Sequence, residues 1–321
     1  MNAEEKITNP SETVLSVVLV VGEKRRNAVY ALQSILQQSL INRIEVLVVD
    51  CGDADITPLP GSDHPNVRVL HVLQQVSFGE ARAQAVQQAR SPIVAFLEEH
   101  CTAFPGWAEA LVSAHAGPWA GVGGEVYNAT AGKGISDAIY LMGYIHWTPP
   151  AKRGEDPLLA SHNSSYKRKV LLSYGDSLPI LLISEPVLQW KMCADGHRLF
   201  VEPEVKFMHI NESKLSSLRG YFWWNCCFGY TRSKVFGWSK LKRTAYCVYS
   251  PVAPWLRVAR MFVYIMRNKS ERLWAFLCNM PLILAIQYYC TLGQVIGIIF
   301  GPGEAETHFT EHELNGGGPL R

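Results

Sequence analysis

Val14-Leu-Ser-Val-Val-Leu-Val-Val-Gly22 and Ile44-Glu-Val-Leu-Val-Val-Asp50 decide the fold of this chain. Neither run alternates between apolar and polar residues. Both are nearly continuous and β-branched, as in strands buried on both faces. Between them Ala28, Leu32, Ile35 and Leu36 recur at helical spacing, which predicts a helix over 27–40. Strand, helix and strand make a β-α-β unit, parallel and right-handed. The alternation continues with a strand over 67–73, an amphipathic helix over 79–89 and a strand over 93–97. The expected fold is an α/β domain with a mostly parallel sheet flanked by helices. Such sheets bind ligands outside the carboxyl ends of their strands. Two polar clusters fall at those ends: Asp50-Cys51-Gly52-Asp53, and Glu98-Glu99-His100-Cys101.

Composition narrows the class. The chain has 321 residues, 48% hydrophobic and 18% charged, so it can bury a large core and is not a disordered protein. Its net charge of +2 hides an asymmetry. From Arg232 to Arg272 the only acid is Glu271 among many Lys and Arg, so this segment suits an anionic membrane surface. No nucleic acid partner is expected. Eight scattered cysteines without Cys-x-x-Cys spacing suggest neither a zinc knuckle nor a disulfide framework, and reduced thiols are the simpler reading. The polar start of the chain has no signal-type apolar run.

Further along, a helix is expected over 105–114 and a short strand over 122–127. A loop-rich excursion should occupy 128–160. A helix follows over 185–195, closed by Gly196, and strand-forming residues over 199–207 lead to His209. No charged residue occurs over 274–300, a stretch long enough to cross a bilayer, and Gly293 and Gly297 add a small-residue spacing that lets helices approach. The expected organisation is a flexible start (1–13), an α/β domain (14–230), a basic and apolar helical region that associates with membrane (231–303) and a flexible tail (304–321).

Several residues carry candidate chemistry. Two carboxylates and an imidazole at 98–100 can hold a metal, or form a polar turn. Asp50 and Asp53 can accept hydrogen bonds from a base or ribose, or simply make a turn. Gly79-Glu80-Ala81-Arg82 opens a helix whose free N–H groups favour anions, and Arg82 adds charge for a diphosphate. Trp223, Trp224 and Phe228 can face a sugar, although core packing is the plainer role.

These pieces, in this order, resemble family 2 glycosyltransferases. The opening 14–53, the helix Gly79-Glu80-Ala81-Arg82-Ala83-Gln84-Ala85-Val86 and Phe96-Leu97-Glu98-Glu99-His100-Cys101 match in turn, the last where the family has Asp-x-Asp. The resemblance runs from about residue 14 to 213. It implies a GT-A nucleotide-sugar-binding fold. It places Val20, Glu23, Asp50, Arg82, Glu98 and Glu99 at nucleotide-sugar contacts. Asp50 would recognise the base. Glu98 and His100 map onto the first and third signature acids, and His209 onto a family histidine that completes a metal site. An imidazole ligand favours Mn²⁺ over Mg²⁺. Ser161-His162-Asn163-Ser164 resembles a segment near donor sugar and acceptor. Glu185-Pro186-Val187-Leu188, with Trp190, Lys191 and Gly196 at the expected offsets, resembles the Glu-Asp-x-x-Leu motif, which makes Glu185 the implied base.

The implied activity is inverting, metal-assisted hexosyl transfer from a nucleotide diphosphate sugar to a lipid-linked or cell-surface glycan acceptor, at the cytoplasmic face of the cell membrane. A nucleotidyltransferase is a rival that would need more glycine than Val21-Gly22-Glu23-Lys24-Arg25-Arg26 supplies. A catalytically inactive sugar-binding or scaffold protein of the same fold is a second.

Overall fold

The computed structural model describes residues 13–23, 25–52, 58–72 and 76–315, so Asp53 lies outside the described residues. The first half follows the sequence closely: β1 (Leu15–Val21), α1 (Arg26–Leu36), β2 (Ile44–Asp50), β3 (Val67–His71), α2 (Phe78–Gln88) and β4 (Ile93–Phe96). Every residue of β1, β2 and β4 is buried, as their unbroken apolar pattern requires. Ser77 begins α2 with a capping box: its side chain accepts from the Glu80 amide, and Glu80 accepts from the Ser77 amide.

The chain then runs through β5 (Cys101–Ala103), α3 (Trp107–Ala114), β6 (Gly121–Asn128), α4 (Ile135–Tyr144), β7 (Gly154–Glu155) and β8 (Ser165–Lys167). Next come α5 (Arg168–Leu172), α6 (Leu178–Ile183), α7 (Glu185–Ala194) and β9 (Leu199–His209). The strand order is β3-β2-β1-β4-β8-β6-β9-β5, with β7 paired to β9. From β3 to β4 the strands are parallel. β8 is antiparallel to both neighbours, and β5 and β7 are antiparallel to β9. The sheet is therefore mixed rather than mostly parallel, because regular helical crossovers stop at β4 and later strands return through loops.

Helices follow: α8 (Leu218–Val235), α9 (Lys240–Tyr249), α10 (Ala253–Asn268), α11 (Leu273–Phe300) and α12 (Ala305–Asn315). Among the described residues, α11 and its lead-in are the one helical stretch long and apolar enough to cross a membrane. Glycines bring α8 and α11 into backbone contact. A Cβ on Gly297 would lie 2.0 Å from the Cys226 carbonyl oxygen, and one on Gly229 would lie 2.3 Å from that of Gln294. The Gly293 and Gly297 spacing thus packs two helices of the same chain.

Three expectations change. The excursion at 128–160 contains α4, whose Ala138, Ile139 and Leu141 are buried against α11, a partner too remote in sequence to be visible. The domain boundary at 230 falls inside α8. The expected flexible tail from 304 is helical over 305–315, because Phe309 and Leu314 bury their side chains in the domain core.

Candidate active site

Strand pairing builds the site. β5 runs antiparallel to β9 with Cys101 opposite His209, and this register sets His100 beside His209 although 109 residues separate them. The two Nε2 atoms are 3.2 Å apart. Oε2 of Glu98, at the end of β4, lies 3.4 Å from Nε2 of His209 and 3.6 Å from Nε2 of His100. A point equidistant from these three atoms is about 2.0 Å from each, the bond length of a first-row divalent ion to N and O ligands. The three side chains fit a metal, and the Cys101 thiol also belongs to the cluster.

The electrostatics agree with ligand character. Burial alone would raise the Glu98 carboxyl, yet His100, His162 and His209 outweigh it and hold the group well below the usual carboxylate range. Burial pushes His100 down to about 4, which leaves its imidazole neutral near pH 7 with a lone pair for coordination. His162 and Asn163 hold Glu98 in place. Nδ1 of His162 is 2.9 Å from Oε1 of Glu98, and Asn163 accepts the Glu98 amide at 2.9 Å while donating to its carboxylate. His162 adopts φ +67°, a left-handed backbone that costs energy for a residue with a Cβ. These two residues, expected near donor sugar and acceptor, therefore orient a candidate ligand.

Glu185 is placed differently from a general base. It is fully buried and lines neither cavity described below. Oε2 accepts from both Nη atoms of Arg82 at 3.1 Å and from the His162 amide, and Oε1 accepts from the Tyr166 hydroxyl at 2.8 Å. Four donors thus occupy the carboxylate, and neither cavity reaches it in this arrangement. Through the His162 amide it connects to Glu98, which His162 contacts through Nδ1. Arg82 is held with it. The residue is 1% exposed, its guanidinium stacks 3.9 Å from the Phe96 ring centroid and pairs with Glu185, and it lines the small gap beside Val20 and Glu98.

At the ends of β1 and β2, Asp50 accepts two 2.7 Å bonds from Nη2 of Arg25 and one from the Gly52 amide. Val20 is buried, Glu23 is exposed just beyond β1 and Glu99 is buried beside Glu98. Across this crevice lies α12. Thr310 accepts the Phe78 amide at the start of α2, Phe309 packs edge-on against Phe78, and Leu314 sits on Gly22, where a Cβ would be 2.2 Å from the Leu314 carbonyl oxygen. The gap left between Val20, Arg82, Glu98 and Leu314 is only about 10 Å³. Glu313 faces it, and burial together with Glu98, Glu212 and Glu99 holds its carboxyl well above the usual range.

On the other side of Glu98 and His100 a cavity of about 630 Å³ opens between β9, α4, α8, α10 and α11. Trp190, Trp224 and Phe228 line it, with Trp224 stacked on Phe228 at 5.3 Å and its Nε1 donating to the Ile183 carbonyl. Tyr144, whose hydroxyl is 3.2 Å from Nε2 of His209, was not foreseen, nor were Glu313 and the arginines on α8 and α10. The apolar pattern of 135–144 was the available signal for Tyr144. Nothing in the sequence placed α12 here. All eight cysteines are free.

The mixed sheet, with its site at the strand ends, has the GT-A architecture. Residues 16–175 match the family model for glycosyl transferase family 2, and the chain belongs to that family, with Glu98-Glu99-His100 in place of Asp-x-Asp. In fold it is similar to the mannosyltransferase PcManGT from Pyrobaculum calidifontis, solved in complex with GDP-Man and Mn2+. The match has a TM-score of 0.52 at 14% identity and covers 91% of this chain and 89% of that one. No curated protein matches the chain.

Proposed function

We propose that this glycosyl transferase moves a hexosyl group from a nucleotide diphosphate sugar to a lipid-linked or cell-surface glycan acceptor, with inversion and with a divalent metal. The observation that carries this reading is the triangle of Glu98, His100 and His209, sized for a metal ion, at the end of an aromatic-lined cavity. The imidazole pair favours Mn²⁺, and the neighbour's bound Mn2+ supports that choice. A cation held there would offset charge on the leaving nucleoside diphosphate. His162 and Asn163 keep Glu98 oriented, and Trp190 and Trp224 offer aromatic faces to a sugar ring. The nucleotide side is the crevice of Val20, Asp50 and Glu99.

Membrane attachment at the cytoplasmic face, peripheral or through α11, belongs to the same proposal. It rests on the basic 232–272 segment and on exposed Trp255, Phe262, Trp274, Leu292 and Phe300 along α10 and α11. The test uses the full chain with Mn²⁺ and a panel of nucleotide sugars. One donor is expected to release nucleoside diphosphate, and both EDTA and His209→Ala to suppress release. A folded protein that neither binds nor cleaves any donor would overturn the reading.

A further inference from the structure

The end of the large cavity away from Glu98 is cationic and has no counter-charge. Arg257 on α10 donates through Nη1 to Gln287 and Thr291 at 3.1 and 3.0 Å, and through Nη2 to Tyr246 and Gln294 at 3.2 and 3.0 Å. All four acceptors are neutral. Arg232 on α8 sits among the rings of Phe228, Trp238 and Tyr246, its Cζ 5.1, 4.8 and 4.7 Å from their centroids. Its Nε and Nη2 are buried and donate to nothing. Arg260 adds a third guanidinium, exposed at the lining of the same cavity. Among the described residues none of the three has a carboxylate partner, whereas Arg25 and Arg82 in the sheet domain pair with Asp50 and Glu185.

This arrangement needs an anion. Tyr246 holds Arg232 and Arg257 close together, so their like charges repel in a partly desolvated site. Burial and the Arg257 charge press Arg232 below its ordinary range, while Tyr246 only partly compensates. Guanidinium groups with unused N–H donors match phosphate oxygens in shape and charge. The carboxylates of the cavity, Glu98, Glu212 and Glu313, are grouped with the histidines instead. Aromatic side chains line the cavity, and α10 and α11, which contribute Arg257, Arg260, Gln287 and Gln294 to it, carry exposed apolar side chains elsewhere on their surfaces.

We propose that Arg232, Arg257 and Arg260 bind the phosphate or diphosphate ester of the acceptor, with the ester's lipid leaving over α10 and α11. This deepens the glycosyl-transfer reading, on which the word acceptor rests. The acceptor then enters with its anionic group at the arginines and its nucleophilic oxygen toward Glu98.

The test is equilibrium binding to the full chain in EDTA, so that no metal at the other end attracts the probe. Farnesyl diphosphate, farnesol and inorganic pyrophosphate serve as probes. Farnesyl diphosphate is expected to bind tightest, and Arg257→Met and Arg232→Met each to weaken it at least about tenfold. Arg260→Met, at an exposed position, tests the site even if the other two variants unfold, and should weaken binding measurably. Binding indifferent to all three substitutions, or weakened as much by Glu98→Gln, overturns the site. Pyrophosphate binding as tightly as farnesyl diphosphate overturns the lipid source. Since no sugar donor is present, failure here and failure of glycosyl transfer give separate results.

Discussion

Glu185→Gln separates an anchoring carboxylate from a catalytic one. The substitution keeps the shape of the side chain and removes its charge, leaving Arg82 with a buried, uncompensated guanidinium that is 1% exposed. Breaking a buried pair from one side costs about 3–5 kcal/mol. An amide can still accept from Tyr166 or the His162 amide, but its NH2 must face a donor, so at least one of the four bonds is lost. Against a typical total of about 5–15 kcal/mol, that loss is a large fraction of stability. Equilibrium urea unfolding of the full chain measures it. Replacing both partners with apolar residues, Arg82→Met with Glu185→Leu, should cost less than the sum of the two single changes, because no charge is then stranded. Tyr166→Phe removes a hydroxyl that donates to Glu185 and accepts from Gln189, and should cost about 1–3 kcal/mol. If Glu185→Gln unfolds within about 0.5 kcal/mol of the parent while nucleotide release disappears, the anchoring argument fails and Glu185 is a base.

The other expectations concern different parts of the molecule. His115, hydrogen-bonded to Ser165, is pushed down to about 3 by burial, so the unfolded chain binds its proton first: stability is full above about pH 6.5 and falls by about 2 kcal/mol by pH 5, a slope that His115→Gln should flatten in urea titrations. Gly297→Ala forces α8 and α11 apart and should cost about 1–3 kcal/mol in thermal unfolding. Gly143→Ala, where a Cβ meets nothing within 4 Å, should be neutral or stabilising, and equal losses at both sites would refute the contact. Ending the chain at Gly303 removes α12 from the crevice over Val20 and Glu98, so donor affinity by calorimetry should rise; unchanged affinity with intact Mn²⁺ binding would show that α12 does not compete.

Local pattern was enough for the first hundred residues, because a strand buried on both faces must be apolar throughout and a crossover helix must carry an apolar stripe. β1, β2 and β4 and the helices between them follow from that. It also marked 98–100 as a polar strand end, a metal site or a turn, while only the pairing of β5 with β9 brought His209 to it. Partner identity was harder. Glu185 reads as a free acid at the start of a helix, and only Arg82, 103 residues away, turns it into half of a buried pair. Likewise α4 and α12 have weak patterns of their own and gain their places from α8 and α11.

The sequence by itself determined a parallel-starting α/β sheet, its membership among family 2 glycosyltransferases and the residue types at its strand ends. Those are local consequences of burial and spacing. The tertiary structure alone decided that β5 pairs with β9 so that His100 meets His209, that Arg82 is neutralised, that α12 covers the crevice and that three arginines share one cavity with Glu98. Each depends on long-range register and on packing between distant segments, where the energy lies in contacts that no stretch of chain contains alone.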